Sequence, residues 1–102
     1  MSALPVALDA LSSELDPPLI HDPDLELVDQ TGVAYRVLVA GRYEEGGFWG
    51  AWIEFFPSNP ELDPLRTDRE TRQSDYPALV SWAKALDKDY LERAFQRAHP
   101  WS

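Results

Sequence analysis

The chain contains no cysteine among its 102 residues. A disulfide framework, a thiolate nucleophile and a cysteine-ligated zinc site are therefore excluded. No run of residues approaches the roughly 18 apolar residues that a membrane-spanning helix needs. Residues 1–18 lack a positively charged start and an uninterrupted apolar stretch, so they do not match a secretory signal. We therefore expect a cytoplasmic protein.

Motifs that would carry catalysis or bind a cofactor are also missing. The chain has two histidines and five glycines, and none of its serines lies in a Gly-x-Ser-x-Gly elbow. The glycines match neither the dinucleotide-binding pattern nor the P-loop. The run His21-Asp22-Pro23-Asp24 could contribute metal ligands, but His99 is distant in sequence, and we interpret the run as a solvated loop. The sequence predicts no catalytic residue, metal or cofactor.

Positive charge is absent from the first third of the chain. Residues 1–32 contain seven acidic residues and no Lys or Arg, within a net charge of −9 for the whole chain. Such a field disfavours phosphate backbones and acidic membranes, so we expect no direct binding to nucleic acid or membrane. It favours a basic partner surface, although acidity also simply aids solubility.

Apolar residues make up 44% of the chain and aromatic residues 12%, which is typical of a folded protein. The length suits a single domain over residues 1–102. Four leucines recur at helical spacing before the run Asp16-Pro17-Pro18, and they predict a short amphipathic helix within residues 1–18. These leucines are candidate interface residues for a protein partner or a homodimer: Leu4, Leu8, Leu11 and Leu15.

Residues 24–73 have the pattern of an antiparallel sheet of three or four strands. The run Asp29-Gln30-Thr31-Gly32 predicts a hairpin turn. Residues 48–56 are apolar on both faces, which predicts a central strand, and the polar residues 65–73 predict one edge strand. Residues 19–23 and 41–47 are interpreted as a connector and a loop.

Residues 75–98 predict one long helix or two short helices packed on the sheet. Ser74 or Asp75 can cap the first turn. Asp89 with Glu92 resembles a capping box, so a break at that point is an open alternative. The expected fold class is α+β, with the short N-terminal helix, the antiparallel sheet and this helical segment.

The stretch from Phe48 to about Ala98 resembles a family of small uncharacterised bacterial proteins. The resemblance implies a bacterial origin and no established activity. The order of sheet and helix is also similar to HicB-like antitoxins at the level of architecture. The family motifs are a Trp-rich strand, an Arg-Glu-Thr strand and a helical Tyr-Leu-Glu, which here are Trp49, Trp52, Ile53, Glu54 and Phe55; Arg66, Arg69, Glu70, Thr71 and Gln73; and Tyr90, Leu91 and Glu92.

Glu54 is the most interesting carboxylate, because it shares a strand face with Trp52 and Phe56. A neighbouring run of arginines offers partners, either as structural ion pairs across strands or as part of a ligand site. The candidate binding residues are Trp49, Trp52, Glu54, Arg66, Arg69 and Arg72.

Two functions from different classes remain open. The first is a non-catalytic interaction protein, an adaptor, inhibitor or antitoxin-like module, because Trp and Arg are enriched at binding hot spots. The second is a small-molecule-binding protein or unrecognised enzyme, with a pocket between the sheet and the helix. That pocket would be lined by Trp52, Trp82, Tyr90, Glu54 and Arg69.

Overall fold

The structure is a computed structural model that describes residues 19–101. Within that range the chain forms an α+β fold with seven strands and two helices. The elements are β1 (Leu19–His21), β2 (Glu26–Val28), β3 (Ala34–Glu44), β4 (Phe48–Pro57), β5 (Leu65–Arg66), β6 (Thr71–Gln73), α1 (Tyr76–Lys84), α2 (Lys88–Arg97) and β7 (His99–Pro100).

All strand pairs of the sheet are antiparallel. The long strands β3 and β4 pair in register from Tyr35 opposite Pro57 to Glu44 opposite Phe48. The short strands β1 and β2 both pair with the far side of β3. On the other side of β4, β5 and β6 pair with β4, and β7 pairs with β5.

Both helices pack against one face of the sheet. Alternate side chains of β3 and β4 point to that face, and Val37, Val39, Ile53 and Phe55 are completely buried there. Leu91 and Ala94 of α2 complete one core cluster. Leu79 and Ala83 of α1 complete a second cluster, together with Ile20, Val39 and Ala51. We call this side of the sheet the helix face.

The hairpin between β2 and β3 confirms the prediction from residues 29–32. The Asp29 carboxylate accepts hydrogen bonds from the backbone of Thr31 and Val33. Gly32 takes a φ of +90°, a conformation that glycine adopts without steric cost. The central position predicted for β4 is also confirmed, since strands flank it on both sides. Its two apolar faces also predict cover on both sides, but both helices pack on the same face.

The predicted strand count of three or four was too low. Residues 19–23 contain β1, which pairs with β3, rather than only a connector. The glycine-bearing segment 41–47 mostly continues β3, and the turn begins after Glu44. The predicted edge strand over residues 65–73 is two strands, and β5 is not an edge because β7 pairs with it.

The C-terminal helical segment is two short helices. Asp75 caps α1 by accepting from the Ala78 N–H at 2.8 Å, as one of the predicted alternatives had it. The predicted cap of the second helix was placed two residues too late. Asp87 caps α2 by accepting from the Tyr90 N–H at 2.8 Å, and Asp89 lies in the first turn.

The predicted N-terminal helix and its candidate interface residues Leu4, Leu8, Leu11 and Leu15 lie outside the described residues. They therefore stay predictions. Between residues 19 and 101, neither helix has the length and apolarity needed to cross a bilayer.

A candidate binding face

The sheet face opposite α1 and α2 carries most of the residues that the sequence singled out. Side chains alternate along a strand, so the register of β4 with β3, β5 and β6 decides which residues share this face. We call it the distal face. Its members include Arg36, Leu38, Ala40, Arg42, Glu44, Phe48, Gly50, Trp52, Glu54, Phe56, Arg66, Arg69, Arg72 and Trp101.

A bulge between β5 and β6 shapes this face. Arg66 pairs with Glu54 and Thr71 pairs with Ala51. The chain therefore advances five residues from β5 to β6 where β4 advances only three. The two extra residues protrude from the sheet. Because their number is even, side chains of β6 face the same sides of the sheet as they would without the bulge. The buried Thr67 holds the bulge by accepting from the Ile53 N–H and donating to the Asp68 carbonyl.

Arginines of the distal face lie over aromatic rings. The Arg72 guanidinium carbon is 3.8 Å from the centre of the Phe48 ring, and that of Arg69 is 5.5 Å away. Arg42 lies 5.5 Å from the Trp52 ring centre. These distances are within the range of cation–π attraction. The rings therefore hold the cations in place while their donors stay available to a ligand.

The fourth arginine extends this pattern to the C-terminus. The Arg66 guanidinium carbon is 6.0 Å from the centre of the Trp101 ring, which packs edge-on against Phe56. Arg69 also forms an ion pair on this face, with Glu44 at 2.8 Å.

Glu54 is buried at the middle of the distal face, with 7% exposure. The Trp52 indole Nε1–H donates to Glu54 Oε2 at 2.9 Å. A hydrogen bond of this kind compensates the buried carboxyl group for lost hydration. Glu54 therefore orients the Trp52 ring, on which Arg42 lies.

The bulge and the neighbouring strands enclose a shallow cleft of about 370 Å³ that opens to solvent. It lies alongside Trp52, and its lining is rich in cations: Arg42, Glu44, Trp52, Arg66, Thr67, Asp68 and Arg69. The cleft can accept an anionic group with an apolar attachment, since guanidinium donors and an indole ring border the same space.

Comparisons with known proteins give no assignment. No protein-family model, curated protein or solved structure matches this chain. The resemblance to small bacterial proteins therefore stays a prediction, and the function must be argued from the face itself.

Five of the six predicted binding residues meet on the distal face. The sixth, Trp49, lies on the helix face, where its ring packs edge-on against Tyr43 and Tyr76. The pocket predicted between sheet and helix is also divided by the sheet. Trp82 and Tyr90 face each other on the helix side, away from Trp52.

Of the side chains that form the cation–π contacts of this face, sequence reasoning did not place Arg42 and Trp101 at the site. Arg42 was assigned to a loop because glycines lie near it. The alternation of side chains that begins with Val37 and Val39 continues to Arg42, however, and could have extended the predicted strand β3. Trp101 was assigned to a tail. It reaches the site because the preceding strand β7 pairs with β5.

Two polar contacts anchor the bulge to the rest of the fold. Glu70 accepts from the Tyr90 hydroxyl and from both terminal nitrogens of Arg97. Burial raises the pKa of Glu70, and the hydrogen bonds from Arg97 and Tyr90 outweigh it, so the pKa lies below its usual value. His99 bonds Asp68 at 3.0 Å, which ties β7 to the bulge.

Within the described range, no group of three or more His, Asp or Glu side chains is placed to hold a metal ion.

Proposed function

We propose that the protein is a non-catalytic interaction module, an adaptor or inhibitor, that binds an acidic segment of a partner protein on its distal face. The observation that supports this most is the set of guanidinium groups held over aromatic rings on one sheet face. Trp and Arg are the side chains that most often dominate protein interfaces. Arg42, Arg69 and Arg72 are exposed, so a partner can reach them.

The chemistry of the partner follows from charge. Five of the nine Lys and Arg residues of the chain lie on this side of the sheet: Arg36, Arg42, Arg66, Arg69 and Arg72. An acidic peptide can pair with guanidinium groups in a bidentate manner while an apolar side chain fills the cleft beside Trp52.

Site-specific photo-cross-linking tests the proposal. We would replace Trp101 by p-benzoylphenylalanine in the full chain and irradiate cells that natively express the protein. Tyr76 is the matched control, since it is also aromatic and exposed but lies on α1. We expect position 101, and not position 76, to cross-link a partner protein through an acidic segment mapped by mass spectrometry.

Three results would contradict the proposal. They are equal capture from position 76, a mapped partner segment that is basic, and cross-links from position 101 only to other residues of the same chain.

The cleft supports a second candidate function, the binding of a small aromatic anion. Arg42, Arg66 and Arg69 converge on the same space as Trp52. Benzoate is a suitable probe because it joins a carboxylate to a ring. Saturable shifts of the Trp52 indole signal in a benzoate titration, lost in Arg42→Gln, would support this function. An unchanged spectrum would remove it.

A further inference from the structure

We propose that the outer edge of β2 receives a basic, extended segment of a partner protein as an additional antiparallel strand. An aliphatic side chain of that segment enters the groove between β2 and α2. This edge lies at the opposite end of the sheet from β7 and is separate from the arginines of the distal face. It is a second binding site beyond the proposed function, and either site can fail its test without the other.

The backbone of β2 directs polar groups outward at two residues. The Val37 N–H donates to the Leu25 carbonyl at 3.1 Å, and the Asp29 N–H donates at 3.0 Å to the carbonyl just before β3. Backbone groups of an antiparallel strand point alternately to one neighbour and to the other. The N–H and C=O groups of Glu26 and Val28 therefore point away from β3, at the outer edge of β2.

This edge is accessible to another strand. Glu26 and Val28 are both exposed, Val28 to 64%. Between residues 19 and 101, the strand that pairs with β2 is β3. An extended peptide that adds to such an edge gains main-chain hydrogen bonds, and pockets for its alternate side chains provide specificity.

A groove of about 280 Å³ lies beside this edge on the side of α2. Its apolar lining includes Leu27 and Phe95, and its polar lining includes Glu92 and Gln96. A residue of an added strand opposite Leu27 points its side chain to the same side of the sheet. At the usual strand separation of about 4.8 Å, that side chain lies in the groove. An aliphatic residue suits this position.

The charges around the edge favour a basic segment. Glu92 contributes a carboxylate to the groove. Arg36, the cation opposite Glu26 on β3, already forms an ion pair with Asp22. A Lys or Arg of the added strand can pair with Glu26, because residues opposite each other share a side of the sheet. Residues 22–29 contain no Lys or Arg and four acidic residues: Asp22, Asp24, Glu26 and Asp29.

The same charges disfavour a second copy of this chain as the occupant. Two β2 edges in contact would bring two acidic clusters together, in a chain whose net charge is −9. Like charges across an interface oppose association, and edge strands carry charges that prevent self-pairing. A basic segment is attracted where a second copy is repelled.

Synthetic peptides test the site on the full chain. The probe is acetyl-Lys-Val-Lys-Ile-Lys-Val-Lys-amide, in which lysines alternate with aliphatic residues. A charge-reversed control has Glu in place of every Lys. A second control is N-methylated on the two lysines that flank isoleucine, whose N–H groups would face β2. A third is N-methylated on isoleucine, whose N–H would point away from β2.

Hydrogen exchange of the backbone N–H groups, followed in ¹⁵N spectra, is the readout. We expect saturating probe to slow exchange at Glu26 and Val28 about tenfold or more, because these N–H groups gain acceptors. The charge-reversed peptide and the peptide N-methylated on lysine should leave both rates unchanged. The peptide N-methylated on isoleucine should act like the probe.

Two pairs of variants locate the binding. Val28→Pro removes an outward N–H and should abolish protection at Glu26, whereas Val28→Thr keeps that N–H and should bind. Glu26→Gln/Glu92→Gln should weaken binding about fivefold, because two exposed ion pairs are lost. Glu45→Gln/Asp63→Asn makes the same change in net charge at exposed residues away from β2 and should stay within about twofold.

The proposal is overturned if the probe leaves exchange at Glu26 and Val28 unchanged, or if the charge-reversed peptide protects them equally. It is also overturned if both N–H groups exchange slowly without peptide. A dependence of that protection on protein concentration would then identify a second copy as the occupant, and independence would identify another part of the same chain.

Equal weakening by the two double variants would also overturn the proposal, because the net charge of the chain would then account for binding. None of these results affects partner capture from position 101. Conversely, a failure of that capture leaves the peptide binding at β2 in place.

Discussion

At two glycines of the central hairpin, neighbouring atoms leave little room for a side chain. The two positions lie on opposite faces of the sheet. A Cβ atom at Gly41 would lie 2.6 Å from the Gly50 carbonyl oxygen and 3.2 Å from Leu79 Cδ2. A Cβ atom at Gly50 would lie 2.9 Å from Arg69 Cδ. The first contact is with backbone, which cannot move without shifting β4, whereas the second is with a flexible side chain.

We therefore predict different outcomes for Gly41→Ala and Gly50→Ala. Gly41→Ala should lower the free energy of unfolding by about 1–3 kcal/mol, the usual cost of overpacking a core. Gly50→Ala should cost less than about 1 kcal/mol, because the Arg69 side chain can rotate away. Urea denaturation measures both values. Equal costs for the two variants would show that the backbone contact does not matter.

Glu70 makes stability depend on acidic pH. Its side chain is 8% exposed and its pKa lies below the usual 4.5, as its bonds to Arg97 and Tyr90 require. A lowered pKa stabilises the fold above the unfolded value, and this contribution is lost as the pH falls through the folded value. Glu70→Gln should cost about 1–3 kcal/mol at pH 7.

The comparison of wild type and Glu70→Gln by thermal unfolding at pH 7 and pH 3 checks this prediction. The difference in stability should shrink toward pH 3, because a growing fraction of the wild-type carboxylate is protonated as the pH falls toward its lowered pKa. A difference that stays constant between the two pH values would contradict the role assigned to the Glu70 charge.

At the level of elements, the break between α1 and α2 depends on one cap. The Asp87 carboxylate accepts a hydrogen bond from the Tyr90 N–H. The backbone of Asp87 is extended, with φ of −98° and ψ of 174°, so the helical conformation begins only after it. Asp87→Ala should cost about 0.5–2 kcal/mol, whereas Asp87→Asn should cost little because Asn caps equally well. Asp89→Ala is the control, and its smaller cost in urea denaturation would confirm that Asp87 is the cap.

The short strand β7 should respond to pH through His99. Hydrogen bonds with the Pro100 carbonyl and the Asp68 carboxylate raise the pKa of His99. A raised pKa stabilises the fold below the usual value of about 6.5, and this contribution is lost as the pH rises through the raised value. The pairing of β7 with β5 should therefore weaken as the pH rises through this raised pKa.

The indole N–H signal of Trp101 reports this change, because Trp101 follows β7 directly. It should shift between pH 6 and pH 8.5 in the wild type and stay constant in His99→Gln, with Trp49 as the internal reference. A shift of the same size in His99→Gln would show that another group causes it.

Periodicity alone predicted the elements with strong patterns. The alternation of Tyr35, Val37 and Val39 and the two apolar faces of β4 were sufficient for the central hairpin. The short strands β1, β5 and β7 could not be predicted, because two or three residues carry no period and their pairing depends on distant partners. The bulge after Arg66 was invisible for the same reason, since it is defined only relative to β4.

The candidate site was predictable in part. The parity of residues along β4 placed Trp52 and Glu54 on one face, while Trp49 belongs to the other by the same rule. The addition of Trp101 required the tertiary fold, since residues 73–100 separate it from the rest of the site.

For the molecule as a whole, the sheet separates two faces of different chemical character. The helix face buries the core, and the distal face carries arginines over aromatic rings within a chain of net charge −9. Under the proposed function, acidic residues elsewhere would repel the acidic partner, so attraction would be confined to this one face. The central claim is that a partner binds there through these arginines.

The most direct test measures the dissociation constant of the partner mapped by cross-linking, with charge reversals on either face. Arg42→Glu/Arg72→Glu changes exposed residues of the distal face. Lys88→Glu/Arg93→Glu makes the same change in net charge on α2. We predict that the distal variant weakens binding about tenfold or more, or about 1.4 kcal/mol, while the α2 variant stays within about twofold. Equal weakening by both variants, or no weakening by the distal variant, would contradict the account.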